Sequence, residues 1–101
     1  MYNKHSPINP KKMDSLAPEV MKTFRGFDKA AVTDGSIPVK FKELIAVAIA
    51  FTTQCQHCID IYSGNARRAG ATEAEMIEAT MIAAALRAGA AVTHATHALP
   101  N

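Results

Sequence analysis

The stretch PVKFKELIAVAIAF, residues 38–51, limits the fold of this chain more than any other. A proline at its head suits the first turn of a helix, and past Glu43 the segment is apolar nearly all round. Leu44-Ile45-Ala46-Val47 alone would also read as a strand, but the alanines, the upstream proline and a length past ten residues favour helix. A helix without a polar side belongs in the centre, so the remaining segments are expected to pack around it. With 101 residues there is room for one domain over 1–101. Its core is expected over about residues 14–99, with residues 1–13 as an irregular arm kept extended by Pro7 and Pro10.

Three further helices flank the central one. The first is expected to begin near Asp14 or Ser15 and to carry an apolar stripe of Leu16, Val20, Phe24, Phe27 and Ala31 until Asp34-Gly35-Ser36 stops it. After a break at Thr52 to Gln54, another starts at or just before Cys55 and runs through Ile59, Tyr62 and Ala66 to Gly70. Thr72, with Glu75 three residues on, forms a capping box that opens the last helix. That helix carries Met76, Ile77, Met81, Ile82, Leu86, Ala90 and Val92 to about His97, before Pro100. Aromatics are scarce, four Phe, two Tyr and no Trp, so alanine and methionine fill the interior and an all-α fold is expected. A domain this small often completes its core against a partner chain.

The net charge of +2 is too small for a nucleic-acid partner, and the adjacent Lys11 and Lys12 read as a solvated segment. The N-terminus MYNKHSPINPKK has no secretory apolar core, and the longest apolar run, Leu44 to Phe51, has eight residues where roughly 20 span a bilayer. No membrane partner and a cytoplasmic location are therefore expected. In that compartment paired cysteines lean toward catalysis, redox sensing or metal binding rather than a structural disulfide.

The only two cysteines are Cys55 and Cys58, with His57 between them. On a helix they share a face, and at a helix N-terminus free N–H groups and the dipole favour a thiolate. Such a thiolate attacks a peroxide or a disulfide, and the second thiol resolves the product. The competing readings are half a metal site or two small apolar fillers. A metal site needs two more ligands, and His94 and His97 have two residues between them where structural zinc sites usually have three to five. They read better as polar groups of an exposed last turn, and His5 has no assigned role. No metal and no cofactor are expected.

Glu43 stands just before the apolar run. An antiparallel hairpin about Thr52 and Thr53 would set Glu43 opposite Tyr62, with Cys58 one turn back from Tyr62, a rise of roughly 6 Å. The carboxylate would then reach the thiol through a hydroxyl or a water, and a buried carboxylate accepts a thiol proton near neutrality. Equally, Glu43 can be a first-turn acid on a polar face with Lys40 and Lys42.

Glu43, eleven intervening residues, Cys55-Gln-His-Cys58, an Ile-Asp segment and the AGATEAEMIEA start of the last helix resemble the alkylhydroperoxidase D-like branch of the carboxymuconolactone decarboxylase family, over about Ile37 to Leu99. The resemblance implies an all-helical fold with a central antiparallel hairpin and the CxxC pair at a helix N-terminus. It implies a thiol-dependent peroxidase or disulfide reductase, with Cys55 and Cys58 as the redox couple, Glu43 as the proton-relay carboxylate and His57 as an accessory group. It further implies a dithiol reductant such as a lipoylated protein, and a homo-oligomer, a trimer or a hexamer. The family's redox motif carries a histidine four residues after the second cysteine, where this chain has Tyr62. Tyrosine, with a reference pKa of about 10, passes a proton without being a good base, and here would bridge Glu43 and Cys58 by hydrogen bonds. The alternatives are a cofactor-free decarboxylase acting on a lactone acid, in which the thiols are idle, and a non-enzymatic redox-sensitive oligomeric module.

Overall fold

A computed structural model describes residues 10–100 of the chain. Five α-helices follow one another, α1 (Pro10–Leu16), α2 (Pro18–Val32), α3 (Val39–Thr53), α4 (Gln56–Arg68) and α5 (Glu73–His94), and a 3₁₀ turn (Ala95–Ala98) closes the series. No strand occurs among the described residues. The irregular arm expected over residues 1–13 gives way to helix from Pro10 onward, and the part of that expectation resting on Pro7, like His5, lies outside the described residues.

The single first helix expected from the apolar stripe is two helices. Pro18 cannot donate an N–H and crowds the residue before it, so Ala17 leaves the helical region at φ −142°, ψ 67°. A proline is tolerated at the first position of each new helix, and both α1 and α2 begin with one. Beyond α2, the Asp34 carboxylate accepts the Val39 N–H at 2.6 Å and so caps α3, a service that Pro38 at the cap position has no side chain to perform.

α3 is the central helix, packed against both α4 and α5. One of its faces, Glu43, Leu44, Val47 and Ala50, is buried, with Val47 fully enclosed. Ala66 of α4, Ala71 of the link after it and Met76 of α5 complete the core, with Tyr62 and Ala79 packed against its edge. Small side chains at Ala50 and Ala66 let the helices approach closely. The opposite face of α3, with Phe41, Ile45 and Ile49 four residues apart, is 47%, 48% and 55% exposed. Apolar on all sides, the helix is enclosed on only one.

Helix ends follow local chemistry. Thr52 and Thr53 donate their hydroxyls to the Ile49 carbonyl and stay helical. Gln54 takes the left-handed conformation at φ 57°, and its N–H and that of Cys55 both reach the Ala50 carbonyl. α4 ends in a Schellman motif: Gly70 sits at φ +96°, its N–H meets the Arg67 carbonyl at 3.0 Å and the Ala71 N–H meets the Ala66 carbonyl at 2.9 Å. The capping box of α5 is present in both halves, Glu75 N–H to Thr72 Oγ1 at 3.1 Å and Thr72 N–H to Glu75 Oε1 at 2.8 Å. Lys40 Nζ lies 2.9 Å from Glu75 Oε2 and ties α3 to α5.

Candidate active site

The turn at Gln54 delivers Cys55 to the N-cap of α4 and places Cys58 in its first turn. The two form a disulfide, with Cα atoms 5.2 Å apart. Cys55 Sγ accepts the Cys58 N–H at 3.2 Å, so the sulfur occupies the place where a serine or aspartate oxygen usually caps a helix. The same amide and the helix dipole would stabilise a negative sulfur there once the bond is reduced. His57 is half-buried in the same turn. It is not among the groups that shift Glu43 or Tyr62.

Glu43 is buried, with 5% of its surface exposed, and its Oε2 has no hydrogen-bond partner. Its reading as a first-turn acid on a polar face therefore fails: the side chain points inward from α3. Burial holds the carboxyl above the usual carboxylate range. The Asn65 side chain opposes this, the Asp28 charge adds to it, and Arg68 opposes it. Arg68 Nη2 in turn donates to Asn65 Oδ1, which fixes the amide beside Glu43.

The expected bridge from Glu43 to Tyr62 is not formed. The hairpin turns about Gln54 and Cys55, about two residues later than Thr52 and Thr53, so the register moves by one helical turn and Glu43 has Asn65 rather than Tyr62 as its side-chain partner. Tyr62 instead donates its hydroxyl to Asp28 Oδ1 of α2 at 3.2 Å, across 34 residues of sequence. Its phenol is pushed up by burial, then by the Asp28 charge and the bond to it, and finally by the charge of Glu43. Glu43 and Tyr62 are thus electrostatic neighbours without being bonded.

Cys58 and Tyr62 open into a cavity of about 220 Å³, completed by Ala46, Ile49, Ala50 and Thr53 of α3 and by Asp28 and Val32 of α2. Its wall is apolar and its one ionised group is an acid. A larger cavity of about 440 Å³ lies on another side of α4, between Phe51, Ile59, Ser63, Arg67 and Met76, and contains none of the expected site residues. Of the two, the smaller is the one lined by expected site residues, Cys58 and Tyr62. Asp28 and Asn65 are the residues that sequence reasoning missed. Asp28 carries no local pattern that ties it to the cysteines, and Asn65 shows only as one turn beyond Tyr62 on α4. His94, the last residue of α5, and His97 of the 3₁₀ turn lie with ring centroids 5.0 Å apart and ring planes tilted by 50°, and no three His, Cys, Asp or Glu side chains converge as a metal-binding group among the described residues.

Known proteins share this arrangement of helices. A carboxymuconolactone decarboxylase family protein from Legionella pneumophila, solved as a crystal structure, superimposes with a TM-score of 0.72 at 34% identity, over 85% of this chain and 77% of that one. A crystal structure of a protein from Methanobacterium thermoautotrophicum superimposes with a TM-score of 0.79, also at 34% identity, over 85% of this chain and 97% of that one. In sequence, "Uncharacterized protein 4 in cox locus" of Paracoccus denitrificans is 46% identical over 76 residues, 75% of this chain and 68% of the relative. An uncharacterized protein of Cupriavidus necator is 38% identical over 82 residues, 81% of this chain and 73% of the relative. The sequence pattern of the carboxymuconolactone decarboxylase family matches residues 18–100. By that match, and by the helical fold it shares, the chain belongs to the carboxymuconolactone decarboxylase family.

Proposed function

We propose that the protein is a thiol-dependent peroxidase or disulfide reductase of the alkylhydroperoxidase type. The observation that carries the reading is the Cys55–Cys58 pair at the N-terminus of α4, oxidised, with Cys58 on the wall of an apolar cavity; the buried Glu43 of α3, beside Asn65, supports it. In the reduced protein Cys58 loses its proton through water toward Glu43, which lies beside Asn65 about two turns along α4, and the thiolate attacks the terminal oxygen of a hydroperoxide. The O–O bond breaks, the alcohol leaves with a proton, and Cys58 becomes a sulfenic acid. Cys55 then attacks that sulfur, expels water and forms the disulfide. A dithiol donor such as a lipoylated protein reduces it by two successive exchanges and leaves as its own disulfide.

Cys58 is the attacking sulfur in this scheme because it lines the cavity, and Cys55, the capping sulfur, is the one the donor engages. Tyr62 holds its place on the cavity wall, and His57 is an accessory group in the same turn. The working form is a homo-oligomer, a trimer or a hexamer, in the cytoplasm, and open apolar faces on α2, α3 and α5 support the assembly. A decarboxylase acting on a lactone acid is less well supported. Such a substrate is an anion, and the cavity beside Cys58 presents Asp28 and no lysine or arginine.

The test is a count of free thiols in the reduced protein before and after one equivalent of an alkyl hydroperoxide. The reading expects two thiols lost per chain and restored by a dithiol. Thiols that persist through the treatment would overturn it.

A further inference from the structure

Tyr62 has one hydrogen to donate, and the structure shows where it goes. The acceptor, Asp28 Oδ1 at 3.2 Å, comes from α2, a helix with no buried residue of its own. Asp28, Tyr62 and Cys58 line one cavity, and Cys58 and Tyr62, four apart on α4, share a face of that helix. The geometry points to Asp28 as a positioning residue of the redox site: its carboxylate takes the Tyr62 hydroxyl hydrogen, so the phenol oxygen has only lone pairs to offer Cys58. Tyr62 is thereby an acceptor for the Cys58 thiol hydrogen and not a donor to its thiolate.

This deepens the proposed function and rests on it for what the thiol is used for. A phenol free to donate would stabilise the thiolate permanently. A phenol bound to Asp28 keeps the proton on Cys58 until Glu43 or water removes it. The charged and titratable groups around this cluster are Asp28 from α2, Glu43 from α3 and His57 from the first turn of α4, with Arg68 of α4 acting on Glu43. The Asp28 charge raises both Glu43 and Tyr62, so the same carboxylate keeps the tyrosine neutral and makes Glu43 a better proton acceptor.

The test is the pH profile of iodoacetamide alkylation of Cys58, read by mass in the full chain carrying Cys55→Ser so that one thiol reports. Asp28→Leu, of similar shape and without an acceptor for the phenol hydrogen, is expected to move the midpoint lower by about one unit, or about tenfold more thiolate at neutral pH. Asp28→Glu, which keeps a carboxylate acceptor, is expected to stay close to the parent. In a Tyr62→Phe background the Asp28→Leu shift should shrink to less than half, because the two act as one unit. Superimposable profiles for Asp28→Leu and its parent would overturn the inference. So would a full-sized shift in the Tyr62→Phe background, which would mean that the charge acts without the tyrosine. Alkylation reads the thiol whether or not any peroxide is reduced, so the peroxide test and this one fail separately.

Discussion

A carboxylate with 5% of its surface exposed and one oxygen without a partner weakens the fold that holds it. Leaving such a group unsatisfied costs about 1–3 kcal/mol. The direction of the shift fixes the pH dependence. Because burial raises the carboxyl above its ordinary 4.5, the folded chain holds a proton that the unfolded chain has already released. The contribution of Glu43 to stability is therefore complete below about that value and is lost as pH rises through the raised one. Glu43→Gln is expected to melt above the wild type at neutral pH, by about 1 kcal/mol, with the difference shrinking toward zero as pH falls to the ordinary carboxylate range. Thermal melts across pH check this, and a difference independent of pH would contradict it. Glu43 stands in the sequence where a lysine-rich helix start turns apolar, which left a buried and a polar-face reading equally open; the structure buries it. Asp28 was not legible in the sequence, because its partner lies 34 residues away and nothing in the periodicity of α2 points to Tyr62.

At the scale of elements, most signals were local and could be read. The proline start of α3, the glycine end of α4 and the Thr72–Glu75 box each act within a turn of chain. Thr72→Ala removes the oxygen that accepts the Glu75 N–H and is expected to cost about 1 kcal/mol, measurable by urea denaturation with an unchanged slope. A loss below about 0.3 kcal/mol would mean that packing of α3 on α5 sets the helix start by itself. The hairpin between α3 and α4 was read with its turn too early. Thr-Thr-Gln looks like a loop, yet the two threonines donate back to Ile49 and remain in α3, leaving the reversal to Gln54. That shift of register by one turn separates Tyr62 from Glu43 and gives it to Asp28 instead. The helix break at Ala17 had its signal in Pro18, which the continuous apolar stripe across it concealed.

At the scale of the whole molecule, the described chain has a core too small for its apolar content. Val47 is its one fully enclosed large side chain, while Leu16, Val20, Phe24 and Phe27 form an open stripe along α1 and α2, 54–75% exposed. Ile77, Met81, Ile82, Leu86 and Val92 do the same along α5, 60–73% exposed. The segment Glu73–Ala98 holds an 18-residue window that is apolar enough, at a mean hydropathy of 1.3, to match a membrane span by length and composition, with 6% of that window buried. Its packing against α3 and its Glu73 and Arg87 favour a protein partner for the open face. The sequence held these stripes in plain view, but whether a stripe meets its own chain or another copy depends on geometry that periodicity does not carry. Phe24→Asp and Leu86→Asp are each expected to reduce the assembled mass seen by sedimentation, and an unchanged mass for both would count against assembly through these faces. The proposed chemistry requires a dithiol whose proton leaves by way of Glu43. The most direct measurement is the rate of thiol loss after an alkyl hydroperoxide is added to reduced wild type and to Glu43→Gln. A fall of about 10²-fold is expected in the variant, with both thiols still present and the fold intact. Equal rates in the two proteins would contradict that chemistry.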